Sequence, residues 1–142
     1  MRISKVLQTK GKDVVQIGPN ASVREAAGIL SEKRIGAIIV ADGGAPLGIL
    51  SERDVVSWLG REGAGCLERK VNELMTAKLT TCGPEDTLLD VLEKMTDGRF
   101  RHMPVMEGDT MVGLVSIGDV VKARLSQLAM ERDALEDMVK GY

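Results

Sequence analysis

Apolar residues fall at helical spacing at Val23, Ala26, Ala27 and Leu30, and the same spacing returns at Leu88, Val91, Leu92 and Met95. Ser22 precedes the first run and Thr87 the second, each placed as an N-cap. Glu25 or Asp90, three residues on, completes or approximates a capping box, so each run is predicted as a helix of roughly ten residues. Ahead of each helix a short extended stretch, Asp13 to Ile17 or Lys78 to Cys82, runs into a Gly-Pro turn. After each helix come two strands around a tight acidic-Gly turn, AIIVADGGAPLGILS and HMPVMEGDTMVGLVS. The runs Ala37–Val40 and Val112–Val115 are short, apolar and largely β-branched, as in strands buried on both faces. A further helix is predicted to start near Glu52 and near Ile117. The order β-α-β-β-α therefore occurs twice, which predicts an α/β (α+β) layer fold.

The two halves are a duplication. Sliding the chain by 65 residues aligns 14–56 with 79–121 without a gap, and 10 of the 43 positions are identical. These include Gly18/Gly83, Pro19/Pro84, Arg34/Arg99, Gly43/Gly108 and Gly48/Gly113. A unit of about 50 residues buries too little surface to be stable alone, so the expectation is two repeats packed sheet to sheet with pseudo-twofold symmetry. The repeats are placed at 5–60 and 75–125, with a linker at 61–74 that contains the flexible-looking REGAG at 61–65. The last helix is expected to run on past the repeat as an extension over 126–142. Val121, Leu125, Leu128, Leu135, Met138 and Val139 include heptad-like spacings there. That stripe is read either as packing on a second subunit, giving a homodimer, or as an amphipathic face against its own domain.

Composition narrows the function classes. Trp58, Phe100 and Tyr142 are the three aromatics, so the core must be built from Val, Ile, Leu and the eight Met. So few rings leave no stacking platform for single strands, and a net charge of −2 offers no basic face to nucleic acid or anionic lipid. Cys66 and Cys82, with one His and no CxxC, cannot assemble a zinc site, and free buried thiols point to a cytoplasmic setting. No stretch approaches the ~20 apolar residues of a membrane span, and the N-terminus has no apolar signal core. There is no nucleophile–base pair and no GxxxxGK[ST] loop, so no enzyme activity is expected.

One local pattern is left over. GILSERDVV at 48–56 returns as GLVSIGDVV at 113–121. Each places a Ser at the end of a strand and an Asp three residues on, in the first turn of a helix. Helix capping accounts for either copy singly, at a value of about 1 kcal/mol. A carboxylate held at a helix N-terminus can also accept two hydrogen bonds from a vicinal diol, while the helix N–H groups face phosphate oxygens. The corner suits a ribose phosphate.

The ordered set of Met75-Thr76, the RHMPV strand at Arg101–Val105 and the G-apolar-apolar-S-x-x-D corner in each half resembles a tandem pair of CBS domains, the Bateman module. The resemblance covers roughly residues 5–125. It implies a stand-alone regulatory module that binds an adenosine-containing ligand (AMP, ADP, ATP, NAD(H) or S-adenosylmethionine) in two clefts between the repeats and signals energy or redox state to an effector protein. The same resemblance implies that one cleft combines Ser51, Arg53 and Asp54 with Thr76, Thr81, Arg101, His102 and Met103. The other combines Ser116, Gly118 and Asp119 with Lys12, Gln16, Gly36, Ala37 and Ile38. Arg53, Arg101 and His102 make the first cleft the better phosphate site, because charge-assisted hydrogen bonds are roughly twice as strong as neutral ones. The second has Gly118, Gly36 and Ala37 at those positions, with Lys12 or Arg34 nearby, and Ile39 where the first has Pro104; it is the weaker site. A scaffold or oligomerisation domain with one or both clefts vestigial is the competing reading.

Overall fold

A computed structural model describes residues 1–141; Tyr142, the last residue of the expected C-terminal extension, lies outside the described residues. The chain divides into two compact units. The first unit comprises residues 13–80 together with 108–111. In it, β1 (Gln16–Ile17) leads to α2 (Val23–Lys33), β2 (Ala37–Ala41), β3 (Pro46–Ser51) and α3 (Glu52–Glu62). α2 forms because Ser22 Oγ accepts a hydrogen bond from the Glu25 N–H (3.1 Å), which begins the helix, while Val23, Ala26 and Leu30 place one face in the core. β1 pairs parallel with β2, as the helical crossover between them requires, and β2 pairs antiparallel with β3. β2 is buried along its whole length, which is why its sequence is continuously apolar. Gly43 (φ 72°) turns the chain between β2 and β3, and Gly108 (φ 60°) does so in the second copy; both angles are costly for any residue with a Cβ.

The second unit comprises residues 1–12, 81–107 and the chain from Val112 through the last helix. Its elements are α1 (Ile3–Lys10), α5 (Leu88–Gly98), β4 (His102–Glu107), β5 (Thr110–Ser116) from Val112 onward, and α6 (Ile117–Lys140). Thr87 caps α5 as Ser22 caps α2, with the Asp90 N–H donating to its hydroxyl at 3.2 Å. The extended stretch before α5 is reduced to one parallel bridge, Cys82 to Val105. α6 has 24 residues, about 36 Å of helix.

The compact units and the sequence repeats divide the chain differently at their edges. The segment ahead of the first repeat belongs to the unit of the second, and the segment ahead of the second repeat belongs to the unit of the first. Ile3, Val6 and Leu7 of α1 lie in one core with Val105, Val115 and Val120. Val71 and Leu74, in the short helix α4 (Val71–Leu74), lie in the other core with Val40 and Leu50. α1 lies ahead of the expected β-α-β-β-α order; Ile3, Val6 and Leu7 carry its helical spacing and Gly11 ends it.

The residues expected to form a flexible linker are ordered. α3 continues to Glu62, and a 3-10 turn over Gly63–Glu68 carries the buried Cys66 into the core of the first unit. Arg69 fastens the segment through ion pairs to Glu62 (2.5 Å) and Glu73 (2.8 Å), with its guanidinium over the Trp58 ring at 5.3 Å. Burial of Cys66, which follows Gly63 and Gly65, fixes the path despite the two glycines.

Candidate functional site

The site is built upward from the two Ser-x-x-Asp corners. Ser51 ends β3 in an extended conformation and is the N-cap of α3. Its hydroxyl accepts from the Asp54 N–H (3.2 Å), and Asp54 Oδ2 accepts from the Ser51 N–H (2.9 Å). Ser116 and Asp119 repeat the arrangement at α6, with distances of 3.1 and 2.9 Å. Each corner is thus a complete capping box that uses Asp where Glu is more usual, and the shorter side chain holds the carboxylate close against the helix end. In both units the first N–H of the helix donates to the residue just before the strand that follows the capped helix: Glu52 to the Gly36 carbonyl (2.9 Å), ahead of β2, and Ile117 to the Arg101 carbonyl (2.7 Å), ahead of β4. Strand, corner and helix N-terminus form one rigid junction.

The two corners differ in what lies beside the carboxylate. In the second unit Lys10, at the end of α1, reaches Asp119 Oδ2 at 2.5 Å and also donates to the Leu114 carbonyl at 2.7 Å. Partial burial works against the charge on Asp119, but the bonds from Lys10 and Ser116 outweigh it and hold the carboxyl below its ordinary range. In the first unit the carbonyl matching Leu114 is that of Ile49, and it accepts from the Thr76 N–H (2.8 Å), while the Ile49 N–H donates to the Thr76 carbonyl (3.0 Å). Sixty-five residues on from Lys10 stands Met75, which carries no charge.

Of the residues expected in the stronger site, Ser51, Arg53, Asp54 and Thr76 lie in the first unit. Thr76 is joined to β3 two residues before Ser51. Thr81, Arg101, His102 and Met103 lie in the second unit, where Arg101 is bonded to the start of α6 and Met103 is fully buried. Of the weaker set, Gln16, Gly36, Ala37 and Ile38 lie in the first unit, with Gly36 bonded to the start of α3. Lys12, Ser116, Gly118 and Asp119 lie in the second. Ala37, Ile38 and Met103 are core side chains, so a ligand would meet them through backbone groups. Sequence reasoning missed Lys10, whose only signal was a basic residue at the end of an unrecognised helix, 109 residues from its partner. Among the described residues no cluster of three or more His, Cys, Asp or Glu could hold a metal ion.

With this architecture in hand, two CBS domains are matched in the chain, at residues 6–61 and 71–126. The chain belongs to the CBS-domain family and carries the domains as a tandem pair. It is 34% identical over 148 residues to the CBS domain-containing protein CBSX3, mitochondrial, of Arabidopsis thaliana, covering 98% of this chain and 72% of that protein. Among solved structures it is similar to the CBS-domain containing protein ATU1752 from Agrobacterium tumefaciens, at 45% identity and TM-score 0.85, covering 87% of this chain and 99% of that one. The CBS domain pair of protein MJ0100, solved in complex with 5'-methylthioadenosine and S-adenosyl-L-methionine, shares the fold at 22% identity and TM-score 0.78, covering 89% of this chain and 98% of that one.

Proposed function

We propose that this protein is a non-catalytic sensor of an adenosine-containing ligand, such as AMP, ADP, ATP or NAD(H), and passes the ligand's level to an effector protein. The observation that carries the reading is the Ser51–Asp54 capping box. It holds a carboxylate rigidly at a helix N-terminus, where one face can accept from a ribose diol while helix N–H groups meet phosphate. Arg53, Arg101 and His102 supply the charge-assisted donors in this reading. The adenosine ligands in the CBS domain pair of MJ0100, which shares the fold, support the same class. The second corner is the weaker half-site, because Lys10 already compensates Asp119. Two cysteines without a disulfide support a cytoplasmic setting, and among the described residues no helix is long and apolar enough to cross a membrane.

Thermal melting against AMP, ADP, ATP, NAD, NADH and S-adenosylmethionine, with GMP as control, tests the proposal. A ligand at ~100 times its dissociation constant adds about 2.7 kcal/mol of stability. For a chain of this size that corresponds to roughly 2–4 °C per kcal/mol. The expected outcome is a shift with one adenosine ligand that disappears in Asp54→Asn, a change that keeps a capping oxygen and so leaves the fold intact. No shift with any adenosine ligand, in protein free of bound nucleotide, would leave the scaffold reading in its place.

A further inference from the structure

The last helix carries two separate apolar faces. One, with Ile117, Val120 and Ala123, packs into its own unit. The other is a stripe of Val121, Leu125, Leu128, Leu135 and Val139, all exposed. These positions advance by alternating steps of four and three residues, with Arg132 in the remaining place, so they follow a heptad seam over two and a half heptads. The seam is rotated about 100° from the core-facing side, at 100° per residue. Beyond Ala129 every described residue of α6 is exposed. A free helix of that length is marginal in water, and here it also presents Leu135, Met138 and Val139 to solvent.

We propose that the seam pairs with the same seam of a second copy, antiparallel, about a twofold axis at residue 130. Hydrophobicity asks for a partner; charge selects which one and in which direction. In a parallel pair Glu131 of each helix would face Glu136 of the other, twice over, and the two Arg132 side chains would meet in the core layer; like charges so placed oppose pairing. Antiparallel pairing puts Lys122 opposite Glu136 of the second copy, again twice, and packs Arg132 against Leu128 of the second copy. The two Glu131 carboxylates then face each other once, beside the two Arg132 guanidiniums that offset them, against two Glu–Glu pairs and an Arg–Arg contact in the parallel arrangement. Leu125 meets Leu135 of the second copy and Val121 meets its Val139. Only the register centred on residue 130 covers all six seam positions; a slip of one heptad either way strands two of them.

Sedimentation equilibrium of the full chain should give a dimer. Leu128→Asp with Leu135→Asp should weaken it at least a hundredfold, and because both leucines are exposed in the single chain (43% and 61%) the unit still folds, as circular dichroism will verify. Lys122→Glu should weaken pairing about fivefold, and adding Glu136→Lys should restore it. Spin-label distances fix direction. Labels at Met130→Cys should sit close together, whereas labels at Lys140→Cys should be separated by about 30 Å along the axis, ten residues at 1.5 Å on each side. The buried Cys66 and Cys82 stay unlabelled. A monomeric protein, a double leucine variant that dimerises like the parent, no rescue by the charge swap, or short distances at both labelled positions would each overturn the proposal. None of these readouts depends on a nucleotide, so the sensor reading stands or falls separately.

Discussion

Lys10 separates two corners that are otherwise alike in sequence and in geometry. Its ammonium group satisfies Asp119 and the Leu114 carbonyl, whereas the first corner uses the Thr76 backbone at the matching carbonyl and has Met75 in place of a cation. Lys10→Met should therefore expose the second carboxylate to ligand, and on the sensor reading calorimetry should show the ligand-to-protein ratio rising from one toward two. The variant also has a pH signature. Asp119 titrates below its ordinary range in the folded protein, so its contribution to stability is fully present above the unfolded carboxyl value, near pH 4, and is lost as pH falls through the lower folded value. Without Lys10 the burial that opposes the charge is no longer outweighed to the same degree, and the acid unfolding midpoint should move to higher pH. An unchanged acid limb would mean that the ion pair does not hold in solution. Ser51, Asp54, Ser116 and Asp119 were legible in the sequence because capping is local. Lys10 was not, since nothing along the chain connects residue 10 to residue 119.

Among the elements, β3 and β5 show why two glycines recur. A Cβ on Gly48 would stand 2.5 Å from Met75 Sδ and 2.9 Å from the Thr76 carbonyl oxygen. On Gly113 it would meet Leu7 Cδ2 at 2.6 Å. Both glycines admit the crossing segment against the strand, but the obstacles differ: backbone and side chain at Gly48, the end of one leucine at Gly113. Gly48→Ala should cost about 1–3 kcal/mol in urea unfolding, and Gly113→Ala should cost less because Leu7 can change rotamer. Equal costs would show that Thr76 yields as readily as a side chain. The helices and hairpins of each repeat are legible in the sequence because caps, turn glycines and apolar periodicity are local signals. β1 and the bridge at Cys82 came out shorter than the extended stretches expected, since strand length depends on a neighbour to pair with.

For the whole molecule, the exchange of lead segments makes a directional prediction. Removing residues 1–10 takes Ile3, Val6 and Leu7 out of the core they share with Leu88, Val105 and Val120. At about 1.5–3 kcal/mol for each buried aliphatic side chain, the loss is on the order of 5 kcal/mol, comparable with the total stability of a small domain. Hydrogen exchange should show protection lost in α5 and the start of α6, in the unit of the second repeat, while α2 in the first unit keeps its own. Loss confined to the first repeat would contradict the core assignment. The duplication, the order of elements within each repeat and the capped corners could be read from the chain alone, because each is written in local periodicity or in residues a fixed distance apart; the family entered by resemblance and is shown by the two matched CBS domains. The tertiary structure alone decided which lead segment completes which unit, that the Gly-rich linker is ordered by Cys66 and Arg69, and that one corner carries a lysine. Those outcomes depend on contacts between residues far apart in the chain, and a pattern with a period of two or three and a half residues holds no information about them.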